Sequence, residues 1–434
     1  MSVKKILVYS HDTYGLGNIR RMMAVVEHLV KEISEVSILV LSGSPMMQAF
    51  RLVPGVDYIK MPCLSRAANG KYSPKFLGLS HDSVLGLRAD LILNTVLEFK
   101  PDLILVDKKP LGVQNELAPT LDVLRRKADR PKLVLLLREI LDNPQSTTEV
   151  WERNKYHDVI KELYDSVLVL GTPEIFDTAA EYGFPAATIE KLKYCGYIAK
   201  PPGERSKEAI RNELDAGNRP LVLITAGGGE DGFRLLSTFL QGRKQQAGNA
   251  FHSLIFVGPE MQSDQQQQLH SLAAEIPALT LLEFSNDVMS YMNAADVIVS
   301  MGGYNTITEI LSLQKQAVVV PRIRPVEEQW IRATRLEQLE LISVIHPDQL
   351  SPRRLFDAIH ERLAPKRAGA IVSYRPPMNA LDHVSACVQE LIKERQKLGW
   401  SQLLTDTRAI REGTGRPQED PARVYDCPLR ARGI

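Results

Sequence analysis

At 434 residues the chain exceeds the length at which one hydrophobic core stops growing, so two domains of about 200 residues each are expected. Hydrophobic residues at 44% and charged residues at 24% are ordinary for a globular protein, and a formal net charge of +1 removes the global electrostatic case for a nucleic-acid partner. Cys63, Cys195, Cys387 and Cys427 are scattered without the paired spacing of a zinc site or a disulfide framework, which suits a reducing compartment and speaks against a bound metal.

The first residues enter a strand directly, without the apolar stretch of a signal peptide, and no later run approaches membrane-spanning length. A cytoplasmic protein is expected, with room for a peripheral membrane contact. Short apolar runs at 5–10, 36–42, 58–61, 103–107, 133–137 and 166–171 alternate with helical patterns, the signature of a parallel sheet. Between the first two, residues 19–33 place Met22, Met23, Val26, Leu29, Val30 and Ile33 at helical intervals, which makes the methionines core-facing. Residues 65–87, with Asn69, Gly70, Lys71 and Pro74, have the length and turn chemistry of a substrate-side loop.

Prolines, a glycine and charges over 197–205 read as a linker. A second set of strands follows at 221–225, 254–257, 280–284, 297–300, 317–320 and 342–345, and Ser351-Pro352 makes a capped helix start. A glutamine run at 265–268 forms the polar face of a surface helix. Another amphipathic helix is predicted over 380–397, and the Arg-, Gly- and Pro-rich remainder as a loosely ordered tail. The expected organisation is a Rossmann-like domain over 1–200, a second over 206–365, a helical segment over 366–400 and a tail over 401–434.

Three strand ends run into glycines: Gly15 and Gly17 after the first strand, Gly227, Gly228 and Gly229 after 221–225, and Gly302 and Gly303 after 297–300. Glycine lets the backbone approach a phosphate, and the N-terminus of the helix that follows favours its charge. Loops of this kind also serve as tight turns, but three at strand ends suggest a cleft for a nucleoside diphosphate. A dehydrogenase reading weakens on two counts: Asn18, Ile19 and Arg20 follow Gly17 where a third glycine is required, and no acidic residue ends the second strand near Leu41.

The run from Phe284 to Asp296, then Ser300-Met301-Gly302-Gly303-Tyr304-Asn305-Thr306-Ile307-Thr308-Glu309, then Val320 to Trp330, resembles in order and spacing the donor site of the GT-B glycosyltransferases, in particular the MurG-like branch with a family 28 C-terminal domain. The resemblance covers the chain to about residue 363. It implies an α/β fold of two doubly wound Rossmann-like domains facing across a cleft, and transfer of a sugar from a nucleotide-sugar, expected to be UDP-linked, to a hydroxyl acceptor on a lipid, a glycan or a small molecule. It implies no metal and no cofactor beyond that co-substrate.

Carried over by position, the loop from Phe284 to Val288 holds the nucleobase edge. Gly302, Gly303, Asn305 and Thr306 hold the diphosphate, Glu309 the ribose hydroxyls, Glu328 and Gln329 the donor sugar, and Gly227, Gly228 and Gly229 face the phosphates and sugar. Arg322 and Arg324 flank the same cleft. Relatives carry a histidine after the second glycine of the first loop; Asn18 stands there in this chain, and an amide is no base near neutral pH. His11, Asp12 and Asp107, at strand ends of the first domain, are the remaining candidate bases, and Arg138 and Glu139 line the acceptor side or form a salt bridge. Two other readings use the same pocket: a nucleotide-sugar 2-epimerase or hydrolase, and a binding protein impaired in turnover.

Overall fold

The computed structural model describes residues 3–11, 17–66, 72–245, 250–364 and 374–411, the last fifteen of these as backbone alone. Asp12, Gly15, the turn residues Asn69, Gly70 and Lys71, and the tail from 412 onward lie outside them. The first domain is a seven-stranded parallel sheet in the order β3-β2-β1-β6-β7-β8-β9. Its strands are β1 (Lys4–Tyr9), β2 (Val36–Ser42), β3 (Val56–Lys60), β6 (Leu103–Asp107), β7 (Lys132–Arg138), β8 (Ser166–Leu170) and β9 (Leu192–Tyr194). A small antiparallel hairpin, β4 (Leu64–Arg66) and β5 (Tyr72–Pro74), sits outside it. The central strands read as unbroken apolar runs because helices cover both faces; Leu133 to Leu137 are all buried.

The second domain is a six-stranded parallel sheet, β12-β11-β10-β13-β14-β15. It is built from β10 (Leu221–Thr225), β11 (His252–Phe256), β12 (Leu279–Leu282), β13 (Val297–Ser300), β14 (Gln316–Val319) and β15 (Ser343–Val344). Both sheets reverse direction beside their first strand, between β1 and β6 and between β10 and β13. Ligands of open α/β sheets bind outside the carboxyl ends of the strands at such a reversal. The glycine loops after β10 and β13 flank the second of these points.

The 352–363 helix begins as expected, with Ser351 Oγ accepting from the Arg354 N–H and Pro352 in the first turn. The last helix, Ala380–Arg411, runs past the predicted end at 397, so residues 401–411 are helical rather than part of a loose tail. It returns to the first domain, where Arg395 pairs with Asp102 at 2.5 Å and Lys132 with Glu394 at 3.1 Å.

A buried charge cluster joins the domains at the carboxyl ends of the sheets. Arg332 Nε meets Glu139 at 3.2 Å, its Nη2 meets Glu328 at 2.7 Å, and Arg138 Nη1 reaches the same Glu328 oxygen at 2.5 Å. Arg332 also donates to the Gly302 carbonyl at 3.4 Å. Removing one member of such a set strands its partners in a dry interior. Arg332→Met is therefore expected to cost about 3–5 kcal/mol, read from the denaturant midpoint; a loss below about 1 kcal/mol, the worth of an exposed pair, would show that the cluster does not hold the lobes.

Candidate functional site

Val297–Ser300 is wholly buried, and the chain leaves the sheet through Gly302, whose φ of +71° favours glycine; a Cβ there would lie 2.7 Å from Val319 Cγ1. Gly303 is the N-cap of the Tyr304–Ser312 helix and makes no side-chain capping bond. The first N–H groups of that nine-residue helix are left for another acceptor. A side chain at Gly303 would meet nothing within 4 Å, because the space before it is open.

That space is a cavity of about 330 Å³ between the lobes. The first domain contributes Gly17, Asn18, Arg20, Arg21 and Arg138, the second Gly227, Gly228, Glu260, Glu283, Phe284, Ser285, Val288, Met292, Gly303, Tyr304, Asn305, Thr306 and Glu309. Ten of the expected residues thus share one wall system: Gly17, Asn18, Gly227, Gly228, Phe284, Val288, Gly303, Asn305, Thr306 and Glu309. Asn305 Nδ2 donates to the Gly17 carbonyl at 3.4 Å, so the two glycine loops touch beside the cavity. Asp287 caps the helix after the Phe284 loop, accepting from Ser290 N, and Arg205 pairs with it at 3.0 Å.

Glu309 is 9% exposed, and burial raises its carboxyl above the usual range against the opposing pull of Arg20 and Lys200. Glu260 beside Gly228 is raised likewise, by burial and by Glu230. Tyr304 is buried with its hydroxyl 3.4 Å from the Leu170 carbonyl of the other lobe, and the guanidiniums of Arg332, Arg21 and Arg138 lie 5.3, 5.9 and 6.0 Å from its ring centroid.

Other expected residues are elsewhere. Glu328 belongs to the interdomain cluster, where two guanidiniums hold its carboxyl down at about 2 despite burial, and it is not among the residues that line the cavity. Gln329 accepts from the Arg322 N–H at 3.0 Å through Oε1, holding the loop after β14. Gly302 and Gly229 shape their turns behind the wall; a Cβ on Gly229 would lie 2.6 Å from the Val257 carbonyl. Arg322 and Arg324 line a separate cavity of about 340 Å³ with Asp231 and Arg234, and Arg322 pairs with Asp231 at 3.2 Å.

Of the candidate bases, Asp107 is buried and ion-paired with Arg21 at 2.7 Å, and it also accepts the His11 N–H at 3.2 Å. His11 is 0% exposed and neither ring nitrogen has a hydrogen-bond partner among the described residues. Burial depresses its imidazole well below the ordinary range, and Lys108, Lys109, Arg88 and Arg21 push the same way. Asn18 is occupied structurally, donating to the His11 carbonyl at 2.8 Å and accepting from Arg21 at 3.3 Å. Arg20, Glu260 and Glu283 on the cavity wall lacked any motif, although Arg20 directly follows the first glycine loop, whose signature ends at Arg21.

Residues 221–375 match the family model described as the glycosyltransferase family 28 C-terminal domain. An uncharacterised glycosyltransferase of Methanopyrus kandleri is 24% identical over 204 residues, 46% of this chain and 54% of that one. The UDP-N-acetylglucosamine–N-acetylmuramyl-(pentapeptide) pyrophosphoryl-undecaprenol N-acetylglucosamine transferase of Haemophilus ducreyi is 22% identical over 237 residues, 54% of this chain and 58% of the relative. The match thus spans little more than half the length of these curated relatives. The crystal structure of Acinetobacter baumannii MurG superposes with a TM-score of 0.57 at 16% identity, covering 89% of this chain and 99% of that one, which establishes the two-domain GT-B fold.

His11 sets a pH dependence. Its folded-state pKa lies below the unfolded value, so below about pH 6.5 the unfolded chain binds a proton that the folded one refuses, and stability falls with falling pH by up to about 1.4 kcal/mol per unit. His11→Leu should flatten the stability profile between about pH 7.5 and 5; a variant that tracks the wild type would show that the imidazole is not neutral when folded.

Proposed function

We propose that this chain, whose C-terminal lobe belongs to the glycosyltransferase family 28 C-terminal domain family on a GT-B fold, transfers a sugar from a UDP-sugar to a hydroxyl acceptor presented at a membrane surface. The observation that carries the donor reading is the uncapped N-terminus of the Tyr304–Ser312 helix opening onto a cleft that both lobes line. Helix N–H groups and the positive end of the dipole favour a diphosphate. On this reading Phe284, Val288 and Met292 cover the base, Glu309 accepts from the ribose hydroxyls, and Gly303, Asn305 and Thr306 meet the phosphates. Gly227 and Gly228 face the sugar. The donor named for the Haemophilus ducreyi relative supports UDP as the nucleotide.

Transfer is a direct displacement in which an acceptor-lobe base takes the acceptor proton. With Asp107 held by Arg21 and His11 enclosed, the role falls to Asp12. A thermal-shift comparison tests both halves. UDP should raise the melting temperature of the wild type, as any ligand of the folded state does. Gly303→Val should melt as the wild type does without ligand, since its side chain enters open space, yet lose the UDP shift. Asp12→Asn should keep the shift and lose transfer by about a hundredfold or more. An undiminished shift in Gly303→Val would refute the site.

The acceptor lobe exposes Phe76 at 70%, Leu79 at 53%, Leu77 at 45% and Leu87 at 43%, with Lys75 5.4 Å from the Phe76 ring centroid. Neighbouring apolar side chains left to water mark a docking surface, and a basic residue among them suits anionic lipid. Among the described residues no helix is long and apolar enough to cross a membrane. Co-sedimentation with vesicles of phosphatidylglycerol and phosphatidylcholine should be strong for the wild type and weak for Phe76→Ser/Leu79→Ser; equal sedimentation would remove the membrane from the proposal.

A further inference from the structure

We propose that Arg138, reaching into the cleft from the acceptor lobe, is the cation that meets the departing diphosphate. The inference rests on the donor reading above and assigns a part of the step that the helix N-terminus does not supply. In the displacement, the bond between the anomeric carbon and the bridging oxygen of the diphosphate breaks and its electron pair stays on that oxygen. A lone pair of the acceptor oxygen forms the new bond to carbon, and the acceptor proton passes to the acceptor-lobe base. The nucleoside diphosphate thereby gains one unit of negative charge. A helix end offers only about half a positive charge, so a full cation in the same wall has a defined task.

Three arginines line the cavity, and their surroundings separate them. Arg20 is exposed and faces Glu309, at the ribose end. Arg21 is neutralised by Asp107 at 2.7 Å, both side chains being almost fully buried. Arg138 ends β7, where that strand leaves the sheet toward the other lobe, and lines the same cavity as Gly227, Gly228 and Gly303. Its guanidinium lies 6.0 Å from the ring centroid of Tyr304, the first residue of the helix whose N–H groups face the phosphates.

Among the described residues its one ionic partner is Glu328 at 2.5 Å, and Glu328 divides its charge between Arg138 and Arg332. The other carboxylate of the cluster, Glu139, pairs with Arg332 at 3.2 Å and not with Arg138. Arg138 is thus under-compensated. Its Nε, moreover, is buried without a hydrogen-bond partner among the described residues, a cost that native proteins rarely leave standing without a use. A phosphate oxygen in the cavity is the acceptor that would satisfy it, in a charge-assisted bond.

The test uses the full chain and UDP-glucose, UDP-galactose and UDP-N-acetylglucosamine, taking the donor with the largest thermal shift and measuring UDP release. Arg138→Gln should lower kcat by about a hundredfold to a thousandfold while KM changes little, and added guanidinium should restore part of the rate. Arg138→Lys, which keeps a cation against Glu328 and so protects the fold, should lose at least tenfold in kcat, because a lysine cannot reproduce the planar fork. An unchanged rate in either variant, or a loss in the folded Gln variant that guanidinium leaves untouched, overturns the assignment and leaves the donor site standing. A wild type that neither binds UDP nor releases it from any of the three donors overturns both.

Discussion

One guanidinium organises the meeting of the two lobes. Arg332 is 0% exposed and holds a carboxylate from each side, Glu139 at the end of the first domain's β7 and Glu328 one turn earlier on its own helix. Deleting this guanidinium while the lobes stay closed would leave carboxylates unpaired in a dry interior, at a cost on the order of several kcal/mol. The cluster lies at the carboxyl edges of both sheets, so what it holds together is the pair of edges where open α/β sheets bind ligands. Tyr304 extends the link: its ring is packed among Arg332, Arg21 and Arg138, and its backbone begins the helix that closes the cavity. The helix end is therefore in contact with the end of the first lobe's β7.

Much of this architecture was legible in the sequence, for reasons that can be named. Strands such as 103–107 and 221–225 are buried on both faces, and continuous apolar runs of that length between turn signals have few alternatives. Strand-end glycines mark the loops because φ near +70° at Gly302 or Gly227 is costly for any other residue. The short elements were not legible: β9 and the hairpin β4-β5 have three residues each, too few to show a period.

Side-chain partners were the larger gap. Glu328 follows the donor motif in the right order, but position along the chain does not reveal that Arg138, 190 residues away, and Arg332, one turn on, both claim its carboxylate. Gln329 likewise accepts from the Arg322 backbone N–H, and the Arg322 side chain pairs with Asp231 beside a separate cavity. His11 and Asp107 stand where strand-end catalytic groups gather, yet one is enclosed without a ring partner among the described residues and the other is paired with Arg21. In each case the residue type suggested a role, while the partners of its side chain depend on contacts between segments distant in sequence. The final helix is the same lesson at larger scale, for nothing in its own pattern says that Arg395 will seek Asp102 in the first domain.

The cavity is electrostatically divided between its two lobes. Glu260, Glu283 and Glu309 come from the second lobe, and Arg20, Arg21 and Arg138 from the first. A ligand that lies between them needs hydroxyls on one side and negative charge on the other, because a carboxylate raised by burial accepts hydroxyl hydrogen bonds readily but repels phosphate. Phe284, 53% exposed on the wall, offers a ring face that a flat heterocycle would cover. On the proposed reading these demands order the ligand from base through ribose to diphosphate, with the reactive carbon delivered to the side where β7 ends. A neutral glycan fragment would fit the carboxylates and leave Arg20 and Arg138 unanswered; a free phosphate would do the reverse. Only a molecule carrying both, joined in that order, answers the whole wall.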